Sequence, residues 1–137
     1  MNEYNPVLDD GMPRFTLAQA NKLLPKVIGL TEQVIEDLHE ARERMESEEL
    51  FNEDDARQSY EVQVGLTLER WAKNVRALGA YPKGYFTVDF KSVMPDTLFC
   101  WTFGEKEIRH AHKIWENFKH RRLIEHPEVY AFSFSLN

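Results

Sequence analysis

Two long apolar seams at helical spacing constrain this chain more than any other feature. Ala20, Leu24, Val27, Thr31, Val34, Leu38, Ala41 and Met45 follow one another in steps of four and three, which lines them up along one side of a helix. Tyr60, Val64, Leu68, Trp71, Val75 and Leu78 do the same after an acidic link over residues 46–55. An amphipathic helix is stable only when its stripe is buried against another element. Two such stripes joined by a short link therefore predict an antiparallel helical hairpin with a third element packed on it. Thr16 and Gln19 stand at capping-box spacing, Asn52 can cap the second helix, and Leu78-Gly79 supplies a glycine stop. Pro25 falls inside the first helix, where its missing amide and ring clash predict a kink costing about 3 kcal/mol. Gly65 weakens the second helix by about 1 kcal/mol relative to alanine and marks a point where helices could cross closely.

Downstream the period changes. After the turn-forming Pro82-Lys83-Gly84, residues 85–90 alternate, with Phe86, Val88 and Phe90 on one face. Residues 97–103 alternate as well, setting Phe99, Trp101 and Phe103 against Leu98 and Cys100. These two runs read as a β-hairpin. Residues 104–122 read as a third helix, because Thr102 and Glu105 stand at capping-box spacing and Ile108, Ala111, Trp115 and Phe118 recur at three and four, which predicts a buried face. Residues 129–136 alternate again, with Tyr130, Phe132, Phe134 and Leu136 facing one way. The expected architecture is an α+β fold built from a long antiparallel helical hairpin, a β-hairpin, a third helix and a C-terminal strand. Residues 1–14, with Pro6, Gly11 and Pro13, read as a flexible N-terminal arm, 15–124 as a single domain, and 125–137 as a C-terminal strand extension paired within the chain or across a dimer.

Size and charge restrict the rest. A chain of 137 residues with 42% hydrophobic content suits one domain that buries roughly two-thirds of its unfolded surface. A single cysteine, Cys100, excludes an intrachain disulfide. With no bilayer-length apolar run and no signal peptide, a cytoplasmic protein is expected, with no membrane partner. The net charge of −6 argues against nucleic acid as a partner. The distribution is uneven, since residues 104–122 carry six lysines or arginines against three glutamates. Such a strip can attract a small anion or dock on the acidic helices of a second copy.

Chemistry-bearing residues concentrate there. On a helix, His112 and Glu116 stand at the spacing by which an imidazole and a carboxylate share a divalent metal, with Asp89 or His126 as a third ligand. The competing reading is a surface pair. Glu105 and His112 would lie two helical turns apart, about 10 Å, far enough to hold a small substrate between them. Arg121 and Arg122 either complement the negative end of a helix or clamp a carboxylate or phosphate, and Asp89 is the first partner to test for Arg122. Cys100, mid-strand among apolar side chains, reads as an inert buried thiol. No catalytic set is complete and no cofactor is specified.

Several of these residues also carry a resemblance. Phe15-Thr16-Leu17, Ala20-Asn21, Leu23-Leu24-Pro25, Leu78-Gly79, Val88-Asp89-Phe90, Cys100-Trp101, Gly104-Glu105, His112, Phe118 and Arg121-Arg122 occur in the order found in a bacterial family of unknown function, domain 2203, which the chain resembles from about Phe15 to Ile124. Thr102 stands where that family often has arginine, and residues 91–96 replace its glycine-containing turn. The resemblance implies a shared fold and carries no activity. The function expected from the sequence is a non-catalytic interaction or accessory module that self-associates as a homo-oligomer, most simply a homodimer. The alternative is a small-anion-binding or metal-dependent enzyme, with Asp89, Glu105, His112, Arg121 and Arg122 around a ligand between the β-hairpin and the third helix, and His112 with Glu116 on a metal.

Overall fold

The computed structural model describes residues 10–132. Two helices come first, α1 over Leu17–Glu48 and α2 over Glu53–Ala77. Five strands follow, β1 Tyr81–Lys83, β2 Thr87–Lys91, β3 Thr97–Thr102, β4 His110–Lys113 and β5 Arg122–Leu123, in one antiparallel sheet of order β1-β2-β3-β4-β5. No helix among the described residues is long and apolar enough to cross a membrane.

The helical hairpin forms as its seams require. Ala20, Leu24, Val27, Thr31, Val34 and Ala41 are buried along α1, with Leu38 and Met45 half-buried. The Thr16 hydroxyl accepts from the Gln19 amide, and the Gln19 side chain accepts from the Thr16 amide. In α2 the buried line runs through Thr67 rather than Leu68, which is 39% exposed. Thr31 and Thr67 are both fully buried, and Thr31 is satisfied twice: its hydroxyl donates to the Val27 carbonyl at 2.7 Å and accepts from the Trp71 indole at 3.0 Å. α1 continues through Pro25. Gly65 makes no close crossing, since a Cβ there would meet nothing within 4 Å. Gly79, by contrast, takes φ +97° just past α2, with Pro13 only 2.7 Å from where a Cβ would stand.

Alternation along the central strands sets what each face of the sheet does. Val88, Phe90, Phe99 and Trp101, all with no exposed surface, turn toward Leu24, Val27, Trp71 and Val75 of the hairpin and form one core. Phe15 and Trp71 meet Phe90 and Phe86 edge-on. Phe15 joins the sheet edge, its amide donating to the Lys91 carbonyl and its carbonyl accepting from the Val93 amide, and the described part of the arm before it is docked by Arg14 donating to the Ser92 carbonyl and the Met12 carbonyl accepting from Lys91. The Asp10 carboxylate accepts from the Tyr81 hydroxyl and pairs with the buried Lys91 ammonium.

Three sequence expectations are corrected. The β-hairpin is present as β2 and β3, but it is the centre of a five-stranded sheet, and Tyr85 and Phe86 precede its first strand in the left-handed region at φ +57° and +55°. Residues 104–122 form no third helix; they supply β4, a short 3-10 turn at Phe118–His120, and β5. Ile108 and Ala111 are buried, but Trp115, placed on the same helical face by spacing, is 70% exposed. The cause is the demand of β3. Phe99, Cys100 and Trp101 have no exposed surface, so a β3 without a second neighbour would bury orphaned amides and carbonyls. β4 meets that demand by pairing Leu98 with His112 and Cys100 with His110. Isoleucine, histidine, tryptophan, phenylalanine and asparagine are weak helix formers and offer little resistance. The Thr102–Glu105 signal closes a turn instead. The Glu105 carboxylate accepts from the Thr102 amide, the Glu105 amide donates to the Thr102 carbonyl, and Gly104 takes φ +105° between them. The C-terminal strand expected from residue 129 is also displaced: Pro127–Tyr130 is a 3-10 turn whose Tyr130 ring packs edge-on against Phe99. Residues 133–136 of that expected strand, and 1–9 of the arm, lie outside the described residues.

Candidate functional site

The face of the sheet turned away from the helices carries the other half of the alternation: Thr87 and Asp89 from β2, Leu98, Cys100 and Thr102 from β3, and His112 from β4. These residues floor a cavity of about 650 Å³. One wall is the left-handed segment at Gly84 and Tyr85, and the other is the excursion from Ile114 to Lys119 between β4 and β5. That excursion is pinned at both ends. The Glu116 carboxylate accepts from the Lys113 amide and takes a bidentate pair from Arg122 at 3.0 and 2.6 Å. The Asn117 side chain caps the 3-10 turn.

Register brings the floor together. Asp89 is directly opposite Cys100, and His112 sits across from Leu98. The result is a cluster of Asp89, Cys100 and His112 whose ligating atoms all lie within 4.8 Å of one another, at exposures of 3%, 0% and 5%. The His112 ring is oriented from both sides. Nδ1 lies 2.7 Å from the Lys113 carbonyl, which can only accept, so Nδ1 carries a proton and donates. Nε2 then faces Asp89 Oδ2 at 3.1 Å. The Asp89 hydrogen bond raises the His112 pKa, burial opposes it, and the Lys113 carbonyl adds to the rise. Oδ1 of Asp89 has no hydrogen-bond partner among the described residues. Burial pushes the Cys100 thiol up to about 12, the Asp89 charge reinforces this, and the nearby Arg121 guanidinium pulls the other way. Thr87 and Thr102 close the floor with a hydroxyl-to-hydroxyl bond of 3.0 Å.

Of the residues singled out in the sequence, Asp89 and His112 meet in this floor. Glu105 does not join them. It forms a bidentate pair with Arg121 at 3.0 and 2.8 Å, and its nearest imidazole is His110 at 3.5 Å rather than His112. Burial alone would raise the Glu105 pKa, but the Arg121 bonds and the Thr102 amide outweigh it and the net direction is down. Arg122 pairs with Glu116, not with Asp89. The Arg122 hydrogen bond comes first among the causes that hold Glu116 down at about 2. Both arginines are thus matched to carboxylates, and Glu116 lines the cavity with its oxygens already engaged rather than sharing a helix face with His112. His126 is exposed beside Glu128. Cys100 is buried, as its place among apolar side chains predicts, and the alternation that puts Phe99 and Trp101 on one face sets it on the other, opposite Asp89.

A helical hairpin covering one side of an antiparallel meander, with a polar-floored cavity on the opposite side, defines an α+β domain with its cavity on the open sheet face. The chain belongs to the family described as uncharacterized conserved protein (DUF2203), whose model matches residues 14–124. No curated protein and no solved structure matches it.

Proposed function

We propose that this protein binds a small organic anion in the cavity on the open face of the sheet. The observation that carries this reading is a buried polar group of Asp89, His112 and Thr87 set in the floor of a cavity whose walls include Leu98, Ile114 and Phe118. Ligand sites commonly enclose roughly 300–1,000 Å³, lined by apolar side chains with a few convergent polar groups, and about 650 Å³ falls inside that range. Lys83 and Lys119 line the same space from its two walls. Their ammonium groups favour a carboxylate or phosphate on the ligand, while Tyr85 and Phe118 suit a flat or aliphatic body.

A thermal-shift screen of carboxylate and phosphate metabolites tests it, with Ile114→Trp as the variant that fills the wall. A compound that raises the melting temperature of the parent chain and not of the folded variant supports the reading. Equal shifts in both overturn it. Self-association ranks second and rests on Leu50 and Phe51, 84% and 89% exposed at the tip of the helical hairpin. Sedimentation velocity over rising concentration reads it, and a monomer throughout removes it.

A further inference from the structure

Three donors of different kinds converge in the cavity floor. Asp89 offers a carboxylate, Cys100 a thiol and His112 an imidazole, and all three are nine-tenths or more buried. Buried carboxylates ordinarily satisfy both oxygens, because each orphaned polar atom costs free energy. Asp89 Oδ1 breaks that rule among the described residues, while Oδ2 meets an imidazole nitrogen and the Cys100 thiol lies beside the carboxylate. The imidazole is arranged as metal-bound histidines are: the ring nitrogen remote from the cluster donates to a main-chain carbonyl, here that of Lys113 at 2.7 Å, leaving Nε2 directed at Asp89.

We infer that Asp89, Cys100 and His112 form a mononuclear site for a divalent, thiophilic cation such as Zn²⁺, with one coordination position open to the cavity. Tetrahedral zinc with bonds of about 2.0–2.3 Å needs ligand atoms roughly 3.3–3.7 Å apart. Asp89 Oδ2 and His112 Nε2 are at 3.1 Å, and every pair is within 4.8 Å, so the widest pair closes by about 1.5 Å at most. A thiolate and an imidazole select a borderline-soft ion over magnesium or calcium, which prefer all-oxygen shells. Three protein ligands leave a fourth position, and the cavity lies on that side because all three residues line it. The open position would take water or the anionic group of a ligand. In that last step the inference rests on the cavity reading above; the three-ligand site does not.

The test uses the full chain, reduced and freed of metal with a chelator, and titrated with Co²⁺ as a spectroscopic probe before competition with Zn²⁺. One cobalt per chain should bind with a thiolate-to-metal charge-transfer band in the near ultraviolet, and zinc should displace it. Cys100→Ser should abolish the band and weaken zinc binding roughly 100-fold, and His112→Gln should weaken it comparably, each with the parent's circular dichroism. His126→Ala, at the exposed histidine, should change neither. A folded parent chain with no cobalt band overturns the inference, as does a Cys100→Ser variant that keeps one. Stabilisation by an organic anion in a chain that binds no metal would sink the metal site and leave the cavity reading standing. A one-to-one metal site that no organic anion occupies would do the reverse.

Discussion

The two faces of the same strands are equally buried and chemically opposite. On the helix side, Val88, Phe90, Phe99 and Trp101 lose all exposure against apolar side chains. On the other side, Thr87, Asp89, Lys91 and His112 are 2–5% exposed, on the face turned away from α1 and α2. They are covered by the N-terminal segment on Lys91, and by the excursion after β4 around the cavity that Thr87, Asp89 and His112 line. The helix-side face is held by area removed from water, which is insensitive to small errors in direction. The open face is held by partners at hydrogen-bond distance, where each group is either matched or costly. A sheet with both faces of the first kind would be stable and featureless. The second kind is where a ligand can gain affinity, since groups already desolvated are positioned to meet it.

The largest effect should come from the apolar face. Phe90→Ala removes a fully buried ring between Phe15 and the hairpin, and urea denaturation should register a loss of about 3–5 kcal/mol. A loss under about 1 kcal/mol would mean that this face is not the core. The open face should answer differently. Thr87→Val breaks the 3.0 Å bond to Thr102 and leaves one hydroxyl unmatched, a cost of about 1 kcal/mol, whereas changing both threonines to valine should cost less than the two single changes added together. Strict additivity in that cycle would erase the distinction between the faces.

The part of this comparison legible in the sequence is the part written in long repeats. The α1 seam from Ala20 to Met45 spans seven turns, and every member is buried or half-buried. Alternation over 97–102 correctly sorted Phe99 and Trp101 from Leu98 and Cys100. Residues 104–122 failed because four apolar positions at three-and-four spacing fit a helix by themselves, while the partner that makes His110–Lys113 a strand lies in β3. Non-local pairing leaves no local mark. The same holds for the cluster of Asp89, Cys100 and His112: each residue was visible, but its neighbours depend on two registers across three strands. The bidentate pairs of Arg121 and Arg122 were hidden for the same reason, since their partners Glu105 and Glu116 would sit elsewhere on a helix.

Those charge pairs give the smallest and sharpest contrast between matched polar groups and buried area. Glu105 titrates below its ordinary value in the folded chain because the Arg121 bonds and the Thr102 amide outweigh the opposing effect of burial. A carboxylate with a depressed folded pKa contributes stability above its unfolded pKa, near 4.5, and loses it as the pH falls through the folded value. Glu105→Gln should therefore be less stable than the parent at pH 7, and the gap should close as urea denaturation is repeated at successively lower pH below about 4.5. The Glu105 side chain is 23% exposed, so solvent screening keeps the gap small beside that of Phe90→Ala. Phe90→Ala changes no titrating group, and its deficit should hold steady across the same series. Parallel profiles for Glu105→Gln and the parent would show that the Arg121 pair adds nothing to folding, and that the turn at Gly104 is held by its backbone alone.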